Sequence, residues 1–357
     1  MLLSELTTMR VGGPARELVT ATTRDEIVAA ARRVWSAGDE WLVLGGGSNV
    51  VVSDEGFDGT VIHVASRGID RATDGVPRLL VQAGEPWDAV VHYAVEHGLA
   101  GIEALSGIPG SAGAAPMQNI GAYGQEVGDA LVTIEFLDYL TGEIEHVPAA
   151  ELDLGYRTSA LKRGRQGIVL AIELELTPAT EGTVGYEQLA AALGVAVGAR
   201  APLADIRARV LELRASKGMV LDPDDPDSVS CGSFFTNPIV PENFARRLPT
   251  DAPRWPVEPE PAPVAVPLGA EPVAPTPESG LVKLSAAWLI EQADISRGFR
   301  LPGSHAAISG KHTLAITNRG DATADEIAQL ARYIRTRVAA QFGVDLQPEP
   351  VAIGVEL

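Results

Sequence analysis

Residues 101–128 read GIEALSGIPGSAGAAPMQNIGAYGQEVG, with seven glycines and two prolines set among small and apolar side chains. The stretch is too apolar for a flexible linker and too rich in glycine for a regular helix. Glycine at this density marks backbone that something must approach closely. Within it, Gly107–Gly113 (GIPGSAG) offers a phosphate cradle without the G-K-[ST] ending of a P-loop. A second cluster lies upstream, Gly45-Gly46-Gly47-Ser48-Asn49, between the apolar runs Trp41–Leu44 and Val50–Val52. It is not a dinucleotide fingerprint, because G-x-G-x-x-G would need glycine where Val50 stands and should open a helix. Apolar runs of this length around a Gly/Asn cluster read as two strands and a tight turn, whose successive N–H groups suit an anion. Singly, each loop is equally well a structural turn. Two such loops, each with a serine, favour one shared diphosphate ligand with a loop on either side of its pyrophosphate.

Outward from these loops, helix and strand signals alternate. Thr23 and Glu26 form a capping box before Ile27, Ala30, Ala31 and Val34, and Gly38 stops that helix. Thr60–Val64, Leu79–Gln82, Leu131–Phe136 and Gly167–Leu176 read as strands. Pro86 opens a helix carrying Val90, Val91, Ala94 and Val95. Ile206, Val210 and Leu213 mark another helix, followed by an acidic loop over 221–230. Residues 249–277 hold ten of the 25 prolines and read as an extended surface insertion, a spacer without chemistry. The last helix begins at Thr323 with Glu326 as box partner and ends at Gly343, and Pro350–Val355 reads as a closing strand.

The whole chain has 357 residues, 46% of them hydrophobic, enough for a substantial core and two or three domains. Its net charge is −19, which opposes general nucleic-acid binding and leaves any anionic ligand to local groups. No apolar run reaches membrane-spanning length, and the N-terminal residues lack the pattern of a secretory signal. The single cysteine, Cys231, forms neither an internal disulfide nor a metal cluster. These features together read as a cytoplasmic protein. The six histidines show no metal spacing, and His305 and His312 read as loop positions.

Three side chains stand out against bland alternatives. Arg157, in YRTS, precedes an apolar strand; an exposed salt bridge is its ordinary fate, bidentate carboxylate or phosphate recognition its functional one. Ser233, in CGSFFTNP, lies in a small-residue turn without a nucleophile elbow, yet a serine in a dry pocket can deliver a proton to a carbanion. Glu349 is flanked by Pro348 and Pro350, which fix its direction, although a solvated carboxylate is the default.

Together these pieces resemble one family, the UDP-N-acetylenolpyruvoylglucosamine reductases, also called UDP-N-acetylmuramate dehydrogenases. The resemblance runs in order through TTMRVGGPA (7–15), LGGGSNVVVSDEGFDGTVI (44–62), GIEALSGIPGSAGAAPMQNIGAYGQEV (101–127), YRTS (156–159), GSFFTNP (232–238), KLSAAWLIEQA (283–293) and QPEPVAIG (347–354). It implies an α+β fold: a two-part FAD-binding region of the vanillyl-alcohol-oxidase (PCMH) type, then a C-terminal α+β substrate-binding domain. The expected divisions are 1–65, 66–200 and 201–347, with strand 348–357 packing back on the first part.

The resemblance also implies the reaction. NADPH reduces bound FAD, hydride passes to C3 of the enolpyruvyl ether of UDP-N-acetylglucosamine, and the charge developing at C2 is quenched by a proton, giving UDP-N-acetylmuramate for peptidoglycan. By similarity, Ser233 is the proton donor, and Arg157 and Glu349 stabilise the enolate-like intermediate, Glu349 with a raised pKa. FAD is expected on Gly45, Gly46, Gly47, Ser48 and Asn49, and on Gly107, Gly110, Ser111, Gly113, Asn119, Gly121 and Ala122. Tyr156, Tyr186, Lys217 and Asn237 are expected on the substrate, with Tyr186 on a substrate-covering loop that defines one class of the family. Two stretches are longer than the family pattern, Gly218–Val229 and the Pro-rich segment before Lys283. The expected partners are the UDP-sugar and NADPH, acting on a monomer with no metal. Another FAD-dependent oxidase of the same superfamily, or an inactive UDP-sugar binder, is the alternative.

Overall fold

The structure, a computed structural model, describes residues 1–72, 75–257 and 280–357. Most of the Pro-rich insertion expected at 249–277 therefore lies outside the described residues.

Strand β1 (Ala15–Ala21) leads into α1 (Arg24–Ala37). This helix begins as its sequence requires: Thr23 accepts the Glu26 N–H, the Glu26 carboxylate reaches back, and Gly38 closes the end at φ 68°. Its buried face is Ile27, Val28, Ala30, Ala31 and Val34. After β2 (Trp41–Leu44) and β3 (Val50–Val52) comes β4 (Phe57–Val64). β1 and β2 both run parallel to β4, in the order β1-β4-β2.

The strands around the glycine cluster are present, but the hairpin read from the sequence is not. β3 pairs in parallel with the last strand of the chain, Val351–Ile353. The reason lies in packing. Val43 packs against the N-terminal core, whereas Val51 is buried in the C-terminal one, so the Gly45–Asn49 loop has to cross from one to the other.

A five-stranded sheet follows. Its strands are β5 (Ile69–Arg71), β6 (Arg78–Gln82), β7 (Leu131–Asp138), β8 (Ile144–Pro148) and β9 (Gly167–Glu175), in the order β8-β7-β9-β6-β5 and antiparallel throughout. β9 buries Ile168 to Ile172 without a break, which its continuous apolar run requires of a strand covered on both faces. Helix α2 (Trp87–Glu96) is capped by Pro86 and buries Val90, Val91 and Ala94. One core joins α1, β4, β6, α2, β7 and β9. The glycine-rich segment 101–128 forms short 3₁₀ turns, the longest being Ala112–Gln118, against this sheet. Helices α3 (Glu187–Leu193) and α4 (Leu203–Ala215) share a smaller core of Val184, Leu189, Ile206 and Val210.

The C-terminal part holds a three-stranded antiparallel sheet of β10 (Ile239–Pro241), β11 (Arg254–Val257) and β12 (Leu281–Leu284), with β12 central. Helix α5 (Ala286–Gln292), the hairpin of β13 (Ala306–Ile308) and β14 (Ile316–Asn318), and α6 (Ala324–Phe342) pack around it. α6 has the Thr323/Glu326 box and a left-handed Gly343 at φ 68°. β15 (Val351–Ile353) then returns to β3. Among the described residues no helix is long and apolar enough to cross a membrane.

Candidate active site

The two glycine loops touch. A methyl group at Gly46 would lie 2.8 Å from the Cα of Gly110, and Ser48 Oγ donates to the Pro109 carbonyl at 3.0 Å. Gly47, at φ 59°, leaves no room for a side chain against the Leu6 carbonyl. The backbone here is used as a surface, in a conformation that only glycine supplies without strain. Among the described residues, no protein acceptor takes the N–H of Gly46, Gly47 or Ser48. These groups are free to bind an anion.

The loops form one wall of a cavity of about 390 Å³. It is lined by Gly45–Asn49, Gly110, Ser111, Gly121, Arg157, Ser233 and Glu349, with the cations Lys162 and Arg214. A second cavity of about 340 Å³ shares Gly45, Gly46 and Ile108–Ser111 and adds Gly107, His63 and Arg67. Together they form a groove along both loops. Arg214 is buried, its Nη2 donates to the Met219 carbonyl at 2.9 Å, and its Nε has no partner. Burial pulls this guanidinium down to about 10. In a chain of net charge −19, a pocket with a buried guanidinium, further cations in its wall and free N–H groups is built for an anion. A diphosphate-bearing flavin fits that donor set.

Arg157, Ser233 and Glu349 come from three distant stretches of sequence and line this cavity together. Arg157 sits at φ 55°, its Nη2 donates to the Gly121 carbonyl at 2.9 Å, and its Nε lies 3.4 Å from Glu349 Oε1. The Glu349 carboxylate also accepts from Gln118 Nε2 at 3.0 Å, and Gln118 in turn accepts from Asn49 at 2.8 Å. Burial raises the Glu349 carboxyl above its ordinary range, more than Arg157, Lys162 and Gln118 lower it. That is the direction a proton-carrying role requires. The Glu349 N–H donates to the Phe234 carbonyl at 2.9 Å, so β15 and the Ser233 turn are tied directly. Ser233 Oγ lies 3.2 Å from His312 Nε2.

The other expected residues divide. Gly113 donates its N–H to the Ala83 carbonyl at 2.8 Å, and Gly107 donates its own to Asp88 at 2.6 Å, so neither amide is available to a ligand. Asn119 is buried, donates to Glu126 and accepts from the Gly128 N–H, which shapes the loop rather than the cavity wall. Ala122 pairs with Gln125 in a short hairpin. Tyr156 and Asn237 line a separate, open cleft with Arg157 and Lys162, and Asn237 Oδ1 accepts the Ala286 N–H that starts α5. Tyr186 is exposed and meets Tyr123 edge-on, and Lys217 Nζ donates to Gln188 Oε1 at 2.8 Å while lying 5.7 Å from the Tyr123 ring.

Sequence reasoning missed Gln118, Arg214, Lys162 and His312. Gln118 stands inside the stretch quoted first, but nothing in its spacing marks it. Arg214 and His312 become visible only when burial is known.

Comparison with known proteins agrees with this geometry. Residues 15–148 match the family described as "FAD binding domain", and residues 224–353 match "UDP-N-acetylenolpyruvoylglucosamine reductase, C-terminal domain". The chain is 59% identical to the UDP-N-acetylenolpyruvoylglucosamine reductase of Leifsonia xyli subsp. xyli, over 99% of this chain and 98% of that one. It is 48% identical to the enzyme of the same name from Nocardia farcinica, over 99% of this chain and 89% of the relative. The crystal structure of the reductase (MurB) from Thermus caldophilus superposes with a TM-score of 0.64 at 28% identity, covering 99% of this chain and 97% of that one. The α+β fold expected from the sequence, an FAD-binding region followed by a reductase C-terminal domain, is the one found. The chain therefore belongs to the UDP-N-acetylenolpyruvoylglucosamine reductase family.

Proposed function

We propose that Arg157, Ser233 and Glu349 carry out the protonation half of the family's reaction in this chain. The enzyme is an FAD flavoprotein of peptidoglycan precursor synthesis that reduces UDP-N-acetyl-3-O-(1-carboxyvinyl)-glucosamine to UDP-N-acetylmuramate with NADPH as co-substrate. The observation that carries the residue assignment is their convergence on one cavity from positions 157, 233 and 349.

The loops at Gly45–Asn49 and Ile108–Ser111 would hold the FAD diphosphate, with Arg214 as a buried counter-charge. When bound, FAD supplies the hydride, taken from NADPH, to the enolpyruvyl C3. The chain's own residues answer the charge that then appears at C2 beside the substrate carboxylate. Arg157, fixed by the Gly121 carbonyl and Glu349, presents its guanidinium to that charge without reorganising. Burial raises the Glu349 carboxyl, and in its protonated form it would donate a hydrogen bond to the enolate oxygen. Ser233 gives its hydroxyl proton to C2. Tyr156 and Asn237, in the neighbouring cleft, and Lys217 and Tyr186, on the side of α3 and α4, would hold the UDP moiety; Tyr186 is exposed and Lys217 is bonded to Gln188 of α3.

We propose further that 1–65, with 348–357 packed back on it, and 66–200 are the FAD-binding subdomains and 201–347 the substrate-binding domain, with Arg157, Tyr156, Tyr186 and Arg214 acting across that division. We take the enzyme as a monomer, and its nucleotide-linked substrates support a cytoplasmic location. The experiment is an anaerobic comparison of half-reactions. Ser233→Ala should leave reduction of the flavin by NADPH nearly intact and slow its reoxidation by the enolpyruvyl substrate roughly 10²–10⁴-fold. An equal fall in both halves would refute the proton-donor assignment.

A further inference from the structure

Resting on that assignment of Ser233, we propose that His312 is its positioning residue: the imidazole Nε2–H donates to Ser233 Oγ and turns the serine's own proton toward the substrate. Serine is a weak acid, and the roles proposed for Arg157 and Glu349 leave open what makes it able to give up a proton. The structure supplies a neighbour. His312 Nε2 stands 3.2 Å from Ser233 Oγ, an ordinary separation for a neutral donor.

Both partners are held from outside the cavity. The Phe234 N–H donates to the Leu314 carbonyl at 2.7 Å, so the serine turn and the histidine loop are joined through the backbone. The His312 N–H donates to Ser309 Oγ at 3.1 Å, and Ser309 Oγ donates to the buried Asp227 carboxylate at 2.7 Å. Asp227 also accepts from the Gly310 N–H and from Arg319. These bonds fix the backbone that carries His312 beside the Ser233 turn, and the ring itself meets the serine through Nε2.

The surroundings also keep the ring neutral. Burial, with Lys217, Arg297 and Arg214 nearby, pulls His312 down to about 4. A neutral imidazole has one N–H and one lone pair. With the lone pair on Nε2, it would accept the serine proton and hold it away from the substrate. With the proton on Nε2, it leaves the serine hydrogen free and meets the negative charge that grows on Oγ during transfer. In that step the Oγ–H bond breaks, its electron pair stays on oxygen, and the proton forms the new C2–H bond. His312 keeps its own proton, and Oγ regains one from water once product has left.

The test uses FAD-loaded protein with His312→Leu, His312→Gln and Ser233→Ala. Nitrogen-15 spectra of histidine-labelled wild type should show His312 neutral with the proton on Nε2, and that signal should move in Ser233→Ala. A proton on Nδ1 instead would overturn the proposal. In rapid mixing of pre-reduced enzyme with substrate, His312→Leu should slow flavin reoxidation about 10–100-fold at saturating substrate, with the half-saturating concentration little changed and a larger solvent deuterium effect. His312→Gln, which restores an N–H donor, should recover most of the rate. In the Ser233→Ala background, His312→Leu should have no further effect; an equal slowing there would mean that the histidine acts independently of the serine and would overturn the positioning role. If Ser233→Ala alone left reoxidation undiminished, the serine assignment itself would fall, an outcome distinct from failure of the histidine alone.

Discussion

Arg157 Nε and Glu349 Oε1 stand 3.4 Å apart, yet the carboxyl is pushed up rather than down. Burial outweighs the guanidinium because the arginine is shared: its Nη2 is bonded to the Gly121 carbonyl, and the pairing with Glu349 is long. Glu349 is therefore poised as an acid, and its cost to the fold depends on pH. While protonated in the folded chain and ionised in the unfolded one, it favours folding relative to its ionised form. That contribution is fully present below the ordinary value of 4.5 and is lost as pH rises through the raised folded value. Glu349→Gln should melt higher than wild type above that window and converge with it at acid pH. Thermal unfolding of the flavin-free proteins across the acid and neutral range checks this; a difference that does not vary with pH would show that the carboxyl is not raised.

Gln118 tunes the same group. Its Nε2 donates to Glu349 at 3.0 Å and favours the ionised form. If Glu349 works protonated, turnover falls as pH rises through its pKa. Gln118→Leu removes the donor, raises the carboxyl further and should shift that alkaline limb to higher pH. An acid limb that moves to higher pH, with the alkaline limb unmoved, would show that the ionised carboxylate is the working form.

How much of this was legible in the sequence depended on the range of the interaction. α1 and α6 were readable to their caps because Thr23 with Glu26, and Thr323 with Glu326, interact within one turn. β9 was readable because a strand covered on both faces must be apolar throughout. The pairing of β3 was not, since its partner lies about 300 residues on and no local pattern distinguishes that strand from a hairpin mate. The same holds in the site. Arg157, Ser233 and Glu349 stood in recognisable segments, whereas His312 sits in an unremarkable loop and gains its meaning only from a bond to a residue 79 positions away.

The contact between the two glycine loops should be intolerant of side chains. Gly46→Ala would place a methyl 2.8 Å from Gly110 Cα, and both loops are tied by backbone bonds, so they must part. The expected cost is about 1–3 kcal/mol, with most of the flavin lost on purification. Gly142→Ala is the control: its φ is 71°, but nothing lies within 4 Å, so it should carry only the backbone strain and retain its flavin. Flavin absorbance per chain and urea unfolding report the two effects separately. Full flavin content in Gly46→Ala would mean that the loops are not the cradle.

The start of α6 is secured by both ends of the chain. Thr323 Oγ accepts the Glu326 N–H at 3.1 Å, and Asp54, in the loop between β3 and β4, accepts the Ala324 N–H at 2.8 Å. Both acceptors sit where the helix presents unpaired N–H groups and the positive end of its dipole. Each should contribute about 0.5–2 kcal/mol, so Thr323→Ala and Asp54→Ala should destabilise by similar amounts although the residues are far apart in sequence. Because they cap the same turn, the double variant should cost less than the two single losses added, as the frayed end relinquishes both bonds at once. Denaturant unfolding of the three variants measures the coupling, with flavin content unchanged in Thr323→Ala because its side chain lies outside the cavity lining. Strict additivity would show that the two acceptors hold the turn independently and that the end does not fray as a unit.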